Sequence, residues 1–392
     1  MNLKLIGSIL LITGTSIGGG LLALPAATAS TGSLYSIILI VITWLITGLA
    51  ALYILEVNLC LPSDTNLVSM AYHTLGRFGG IICWISYLVL LYSLISVYTS
   101  GGTDLLNSMS TSLHLTPHSQ LSSIIFIVVL GAIVWCGIGL VDKTNRALMS
   151  IKMLSFLILV VLLLPRVDMQ HLSYHDASKL SGALMPIIFS FGYSIIVPSL
   201  RAYLDNDAKK VRLAIIIGST IPMISYIAWI CAVHGTVDHE LLVASNHSGE
   251  ILSTLNKGLG EIGHTTISFI GHLFTGICVF TSFLGVSLST SDFLADGMQL
   301  KKQGVNKIPI YAATFLPPLI IVIFRPHIYM TALRFAGILC VIILILLPAA
   351  MAMSNRVLKK NQGYKAPGGK GLVLTILLLS IVLLIYAVII TL

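Results

Sequence analysis

Eleven long stretches of the chain are almost free of charge, near residues 5–27, 34–59, 80–103, 121–140, 148–165, 182–203, 211–233, 265–296, 308–324, 331–353 and 372–391. About 20 helical residues cross the hydrocarbon core of a bilayer, and each stretch is close to that length. The apolar residues run on without alternation, so these segments read as helices and not as strands of a barrel. A soluble fold is excluded by composition. Only 9% of the 392 residues are charged and 56% are hydrophobic, whereas a soluble domain carries about 25% charged residues. With a mean hydropathy of +0.99, most of the chain faces lipid. The longer connections, 104–120, 166–181, 234–264 and 354–371, leave no room for a soluble domain. The expectation is one all-α integral membrane domain over residues 1–392.

Lys and Arg set the orientation. Arg166, Lys179, Lys257, Arg325 and Arg334 fall on one side of the expected spans. The rest of the 22 Lys and Arg, Lys143, Arg146, Lys152, Arg201, Arg356, Lys359 and Lys360 among them, fall on the side of the N-terminus. That bias places the N-terminus in the cytoplasm and the C-terminus outside. The net charge of +8 then belongs to loops beside anionic lipid, not to a nucleic-acid surface. Lys4, the first apolar stretch and "AATAS" at 26–30 have the parts of a cleavable signal. The stretch is longer than a signal core and broken by glycines, so it reads as a retained helix. The six cysteines show no paired spacing and read as small buried hydrophobes, with no disulfide framework or metal site.

The first and sixth spans share an anomaly. Span one carries "GTSIGGGLLALP" at 14–25, and span six carries Ser190, Gly192, Tyr193 and Ser194 at its middle with Pro198 beyond. Glycine lets a backbone leave helical geometry and approach a ligand closely. The N–H and C=O groups so freed must line a polar cavity enclosed by protein. Two interrupted helices five spans apart point to an inverted-repeat transporter, with repeat one at about 5–165, repeat two at about 182–353 and an extra helix at about 372–391. Each break presents opposite helix-dipole ends, which suits an amino-acid zwitterion. Its carboxylate would meet Gly18–Gly20, and its ammonium the carbonyls near Thr13–Gly14 and Phe189–Phe191. No charged side chain occurs between Leu5 and Ala27 or between Ser181 and Leu200, as a net-neutral substrate allows. Close helix packing would explain the glycines alone, but not Thr13, Thr15 and Ser16 beside them. Segment 234–264 reads as one or two short amphipathic helices on the outer face, either a cap over a vestibule or a plain connector.

These residues also resemble a known family. "GTSIGGGLLALP", "LYILEV" (52–57), "LYSLISVYTSGGTDLL" (91–106), "FGYSIIVPSL" (191–200) and "SDFLADGM" (291–298) are similar to the hydroxy and aromatic amino acid permeases, nearest their tyrosine and tryptophan branch. The resemblance implies eleven spans and a LeuT-type five-plus-five repeat within the amino acid-polyamine-organocation superfamily. It implies secondary-active import of an aromatic amino acid across the bacterial inner membrane, tyrosine first and tryptophan next, by rocking of spans one, two, six and seven. Membrane lipid is the only other partner expected, with no obligatory protein partner and no cofactor. Carried onto this chain, the substrate backbone would lie against Thr15, Ser16, Ile17, Gly18, Gly19 and Gly20 and against Ser190–Ser194. Tyr92 or Tyr98 would bond the carboxylate, and Phe189, Phe191, Tyr193 and Leu284 would wall the aromatic pocket.

The coupling ion is a proton or sodium. Thr281 and Ser282 resemble the hydroxyl pair of sodium-coupled relatives, where they would face the carbonyls of Gly14 and Ile17 in an all-oxygen site; otherwise they bond back to their own turn. The family is regarded as proton-driven, and in many members a His follows the span-six aromatic. Here that position is Ser194, which leaves sodium open. Glu56, an acidic residue within span two, is a functional candidate by default. By resemblance it braces the unwound part of span six, or carries a proton; alternatively it reaches the interface. Other classes fit less well. "HELLV" at 239–243 begins like a zinc-protease helix, but Val243 stands where the second ligand belongs. His234, His239, His247 and His264 lack ligand spacing, so no enzyme is expected. A transporter of a small neutral amino acid such as serine or threonine is the alternative. A channel, which would want rings of charge, and a non-transporting receptor are more remote.

Overall fold

Charge-free runs become helices because every backbone polar group in hydrocarbon must be satisfied within its own segment. The computed structural model describes residues 3–63, 65–262, 265–358 and 363–391; His264, Lys359 and Lys360 lie outside them. Helices α1 (Leu3–Ser16) and α2 (Gly19–Ala29) form one bent unit, followed by α3 (Ser33–Asn58), α4 (Leu67–Ser112), α5 (Ser119–Trp135) and α6 (Ile138–Leu163). Short α7 (Met169–Leu172) precedes a second interrupted unit, α8 (Leu180–Ser190) and α9 (Val197–Tyr203), and then α10 (Ala208–His234). After α11 (His239–Ser248) and α12 (Ile251–Glu261) come α13 (Thr265–Gly297), α14 (Lys307–Phe324), α15 (Tyr329–Val341), α16 (Leu347–Val357) and α17 (Gly369–Thr391).

Among the described residues, nine segments are long and apolar enough to cross a bilayer, and α1 with α2, bent by 46°, makes a tenth. Helix α5 is apolar but only 17 residues long. Several boundaries differ from expectation, among them the start of α4 at Leu67 and not near 80. Helix α4 runs on to Ser112 through part of the expected loop at 104–120, after a kink at Gly76 with φ +73°. Helix α6 begins at Ile138, directly after Gly137 with φ +103°, so Lys143, Arg146 and Lys152 are helical residues. Local chemistry sets several ends. The Asp207 carboxylate caps α10 by accepting from Lys209 N and Lys210 N, and the Lys210 side chain, its Nζ 2.9 Å from Oδ2, holds the carboxyl pKa below the ordinary range. Gly249, at φ +79°, closes α11.

The apolar faces point outward. On α3, Leu34, Ile38, Ile42 and Leu45 recur at helical spacing and are each about half exposed, while Ser36, Thr43 and Thr47 of the opposite face are buried. Lipid replaces water as the outer medium, so polar side chains turn inward and bond to backbone. Ser36 Oγ donates to Gly32 O and Thr47 Oγ1 to Thr43 O. The cysteine expectation holds for Cys83, Cys278 and Cys340, but Cys60 and Cys231 are half-buried and Cys136, just past the end of α5, is exposed. Helices α11 and α12 bury Leu242, Ile251, Leu252, Leu255 and Leu259. The Asp104 carboxylate, about two turns before the end of α4, accepts from Leu252 N (2.9 Å) and Ser253 N (3.0 Å), capping α12.

Candidate functional site

Helix α1 stops at Ser16 and α2 starts at Gly19, with Gly18 as the extended link at φ −154° and ψ −143°. A break inside a membrane helix leaves the carbonyls at the end of its first half in need of donors, and two other helices supply them. Tyr226 Oη of α10 donates to Ser16 O (2.8 Å) and Lys152 Nζ of α6 to Ile17 O (2.8 Å); Tyr329 Oη of α15 also donates to Gly19 O (3.0 Å), at the start of α2. The second break follows the same logic. Helix α8 ends at Ser190, a tight turn covers Gly192–Ile196, and Pro198 sits in the first turn of α9, where its missing N–H costs nothing. Ser190 O accepts from Tyr226 Oη at 2.6 Å. Tyr193 and Ser194 are fully buried, and among the described residues the Ser194 Oγ has no hydrogen-bond partner.

Glycine is what lets the two breaks meet. A Cβ on Gly18 would lie 3.0 Å from Ser282 Oγ, one on Gly19 2.2 Å from the Tyr98 ring, and one on Gly20 2.8 Å from Ser190 Oγ and 3.2 Å from the Phe189 ring. A Cβ on Gly14 would meet the Met149 methyl at 2.0 Å. The run therefore brings α2 against α4, α8 and α13 at one place. Phe191 is buried there too, edge-on to Tyr226 with ring centroids 5.1 Å apart. Leu284 and Gly192 are buried and half-buried.

Other expected site residues go elsewhere. Thr15 is exposed and bonds back to Leu11 O, so the outer face of α1 removes it from the break. Thr13 Oγ1 donates to Gly218 O of α10 (3.3 Å), and Ser16 Oγ to Ile12 O. Tyr92, two turns from Tyr98 on α4, donates instead to Ala313 O of α14 (2.8 Å). Thr281 Oγ1 donates into its own turn, to Ile277 O (2.8 Å) and Cys278 O (3.3 Å). The Ile17 carbonyl, expected around a sodium ion, carries the Lys152 ammonium. That lysine is 3% exposed, not a loop charge.

Among the described residues the Glu56 carboxylate makes no hydrogen bond to α8 or α9, and it does not reach the interface. It is fully buried and accepts from Arg356 Nε (2.8 Å), Arg356 Nη2 (2.5 Å) and Ala366 N (2.7 Å). A buried carboxylate needs a charged partner, and the last turn of α16 provides one. Lys152, Tyr226 and Tyr329, which bond to the breaks, and Arg356, which bonds to Glu56, are not among the site residues singled out from the sequence. Lys152 did leave a signal, a lone cation inside "IKMLSFLILVVLL" and so a functional candidate. The two tyrosines leave none, because a hydroxyl in an apolar helix has no diagnostic spacing.

The sequence profile of the tryptophan/tyrosine permease family matches residues 1–387 of this chain. The chain is 32% identical over 387 residues to the tyrosine-specific transport system 2 of Haemophilus influenzae, covering 97% of this chain and 95% of that protein. It is 28% identical to the tryptophan-specific transport protein of the same organism, covering 96% and 94%. It is also 28% identical to the glutamine transporter 2 of Aliivibrio fischeri, covering 98% and 99%.

Proposed function

The chain belongs to the tryptophan/tyrosine permease family, and from that premise we propose that it imports an aromatic amino acid, tyrosine foremost, by alternating access. It is a multi-pass membrane transport protein and not an enzyme. We read the spans as eleven, with α5 among them, arranged as two inverted repeats (5–165 and 182–353) and an appended helix in the bacterial inner membrane. The N-terminus lies in the cytoplasm and the C-terminus in the periplasm.

The observation that carries the reading is the convergence of the two breaks. Ser16 O and Ser190 O end helical segments from opposite halves of the chain and lie 2.8 and 2.6 Å from one hydroxyl. Two carbonyl ends carry partial negative charge and suit the substrate's ammonium. Its carboxylate takes the start of α2 at Gly18–Gly20, with Tyr98 against Gly19. Phe189, Phe191, Tyr193 and Leu284 form the side-chain pocket. A polar neutral substrate is the second reading, favoured by the buried Ser194 hydroxyl, which has no partner among the described residues.

For coupling, the buried Lys152 on Ile17 O favours a proton over sodium. A protonated lysine ties α6 to the break through a charge-assisted bond. Deprotonation weakens that tie and frees α1 and α2 to move. The test is labelled tyrosine uptake into proteoliposomes under a proton gradient or a sodium gradient, with tryptophan, phenylalanine, glutamine, serine and threonine as competitors. Proton-driven accumulation inhibited by aromatic amino acids supports the proposal. Sodium-driven accumulation removes the role given to Lys152, and inhibition by glutamine or serine alone removes the aromatic substrate.

A further inference from the structure

Tyr226 has one hydroxyl proton and two carbonyls to receive it. Its Oη lies 2.8 Å from Ser16 O and 2.6 Å from Ser190 O, so at any moment one carbonyl faces a bare phenol oxygen or shares a bent bond. The other donors at the first break are not divided in this way: Lys152 serves Ile17 O and Tyr329 serves Gly19 O. Both shared carbonyls end helical segments, at Ser16 of α1 and Ser190 of α8, so two negative dipole ends are aimed at one small volume. The ring of Tyr226 is fully buried and set edge-on against Phe191 at 5.1 Å, which holds the hydroxyl there. An alkylammonium has three hydrogens and a full positive charge, and would satisfy both carbonyls with one hydrogen to spare.

We propose that the Tyr226 hydroxyl stands in for the substrate's ammonium, holding the two break ends together so that the empty carrier can close and return. This rests on the transport reading above. Without either donor, Ser16 O and Ser190 O would face each other desolvated and with like partial charge, a cost that opposes closure. With substrate bound, the ammonium takes both carbonyls and the hydroxyl is displaced. Tyr226 is thus a positioning residue whose role falls in the unloaded half of the cycle.

Net uptake requires the empty carrier to return, whereas exchange of inside for outside substrate requires only loaded carriers. The Tyr226→Phe variant keeps the ring and removes the donor. In proteoliposomes, labelled tyrosine exchange should stay within about twofold of wild type, while gradient-driven net uptake falls by about tenfold or more, a barrier change of about 1.4 kcal/mol. Tyrosine should also raise the melting temperature of the variant more than that of wild type, because the ligand restores the missing donor. A variant that does not survive purification alone should be recovered by tyrosine in the buffer. Net uptake and exchange falling together, both staying unchanged, or no recovery by tyrosine would overturn the proposal. Absence of tyrosine exchange by wild type would instead overturn the transport reading itself, and the stand-in with it.

Discussion

Lys152 is a buried cation bonded to the first break. An isolated ammonium in hydrocarbon is costly, and here its hydrogen bond ends on Ile17 O, a carbonyl of the α1–α2 break. Replacing it by methionine keeps the volume and removes the charge. Lys152→Met should abolish proton-driven accumulation, by about tenfold or more on the transition-state scale, and leave tyrosine exchange measurable. Retained proton-driven accumulation would contradict the role. Gly19 carries a steric prediction. With the Tyr98 ring 2.2 Å from where a Cβ would stand, Gly19→Leu should cut tyrosine uptake by about tenfold or more. Thr15→Ala, on the exposed face, should leave stability within about 0.5 kcal/mol and leave uptake unchanged. Gly18, Gly19 and Gly20 were legible in the sequence because glycine beside polar residues has little other use in a span. Thr15 looked equivalent to its neighbours, because facing around a helix cannot be assigned where both faces are apolar.

Between elements, the Glu56–Arg356 pair joins α3 to α16 and to the segment leading into α17. Arg356 also donates to Ala366 O (2.9 Å) and to Gly369 O, so one guanidinium holds the entry to the last helix. Removing one partner leaves a buried charge alone, which costs about 3–5 kcal/mol. Glu56→Gln should therefore lower the thermal midpoint sharply in detergent. The double variant Glu56→Gln with Arg356→Met should recover much of the loss; no recovery would show that the carboxylate acts beyond charge pairing. The Asp104 cap on α12 gives a milder test. Asp104→Leu should cost about 1 kcal/mol and raise hydrogen exchange at the start of α12, without altering α13. Glu56 was legible as an unusual buried acid, but its partner was not. Arg356 stood at the edge of an apolar run and read as a loop charge, since long-range pairing across 300 residues leaves no local pattern.

Over the whole molecule, the helical membrane class was legible from charge-free runs, because hydrocarbon permits so few alternatives. Boundaries were less so: the helix of α4 continues past Thr103, and α6 starts at Ile138, since helix can extend beyond the apolar zone where flanking polar residues meet water. The basic-residue bias predicts a periplasmic C-terminus, to be checked with a reporter fused after residue 392 that is active only outside the cytoplasm; cytoplasmic activity would reverse the assignment. The central claim is that the paired breaks recognise both charged ends of an amino acid. Its most direct test is inhibition of labelled tyrosine uptake by N-acetyltyrosine, which lacks the ammonium, and by tyramine, which lacks the carboxylate. The account predicts that neither competes at concentrations where unlabelled tyrosine competes fully. Competition by either analogue at tyrosine-like concentrations would contradict recognition by the two breaks.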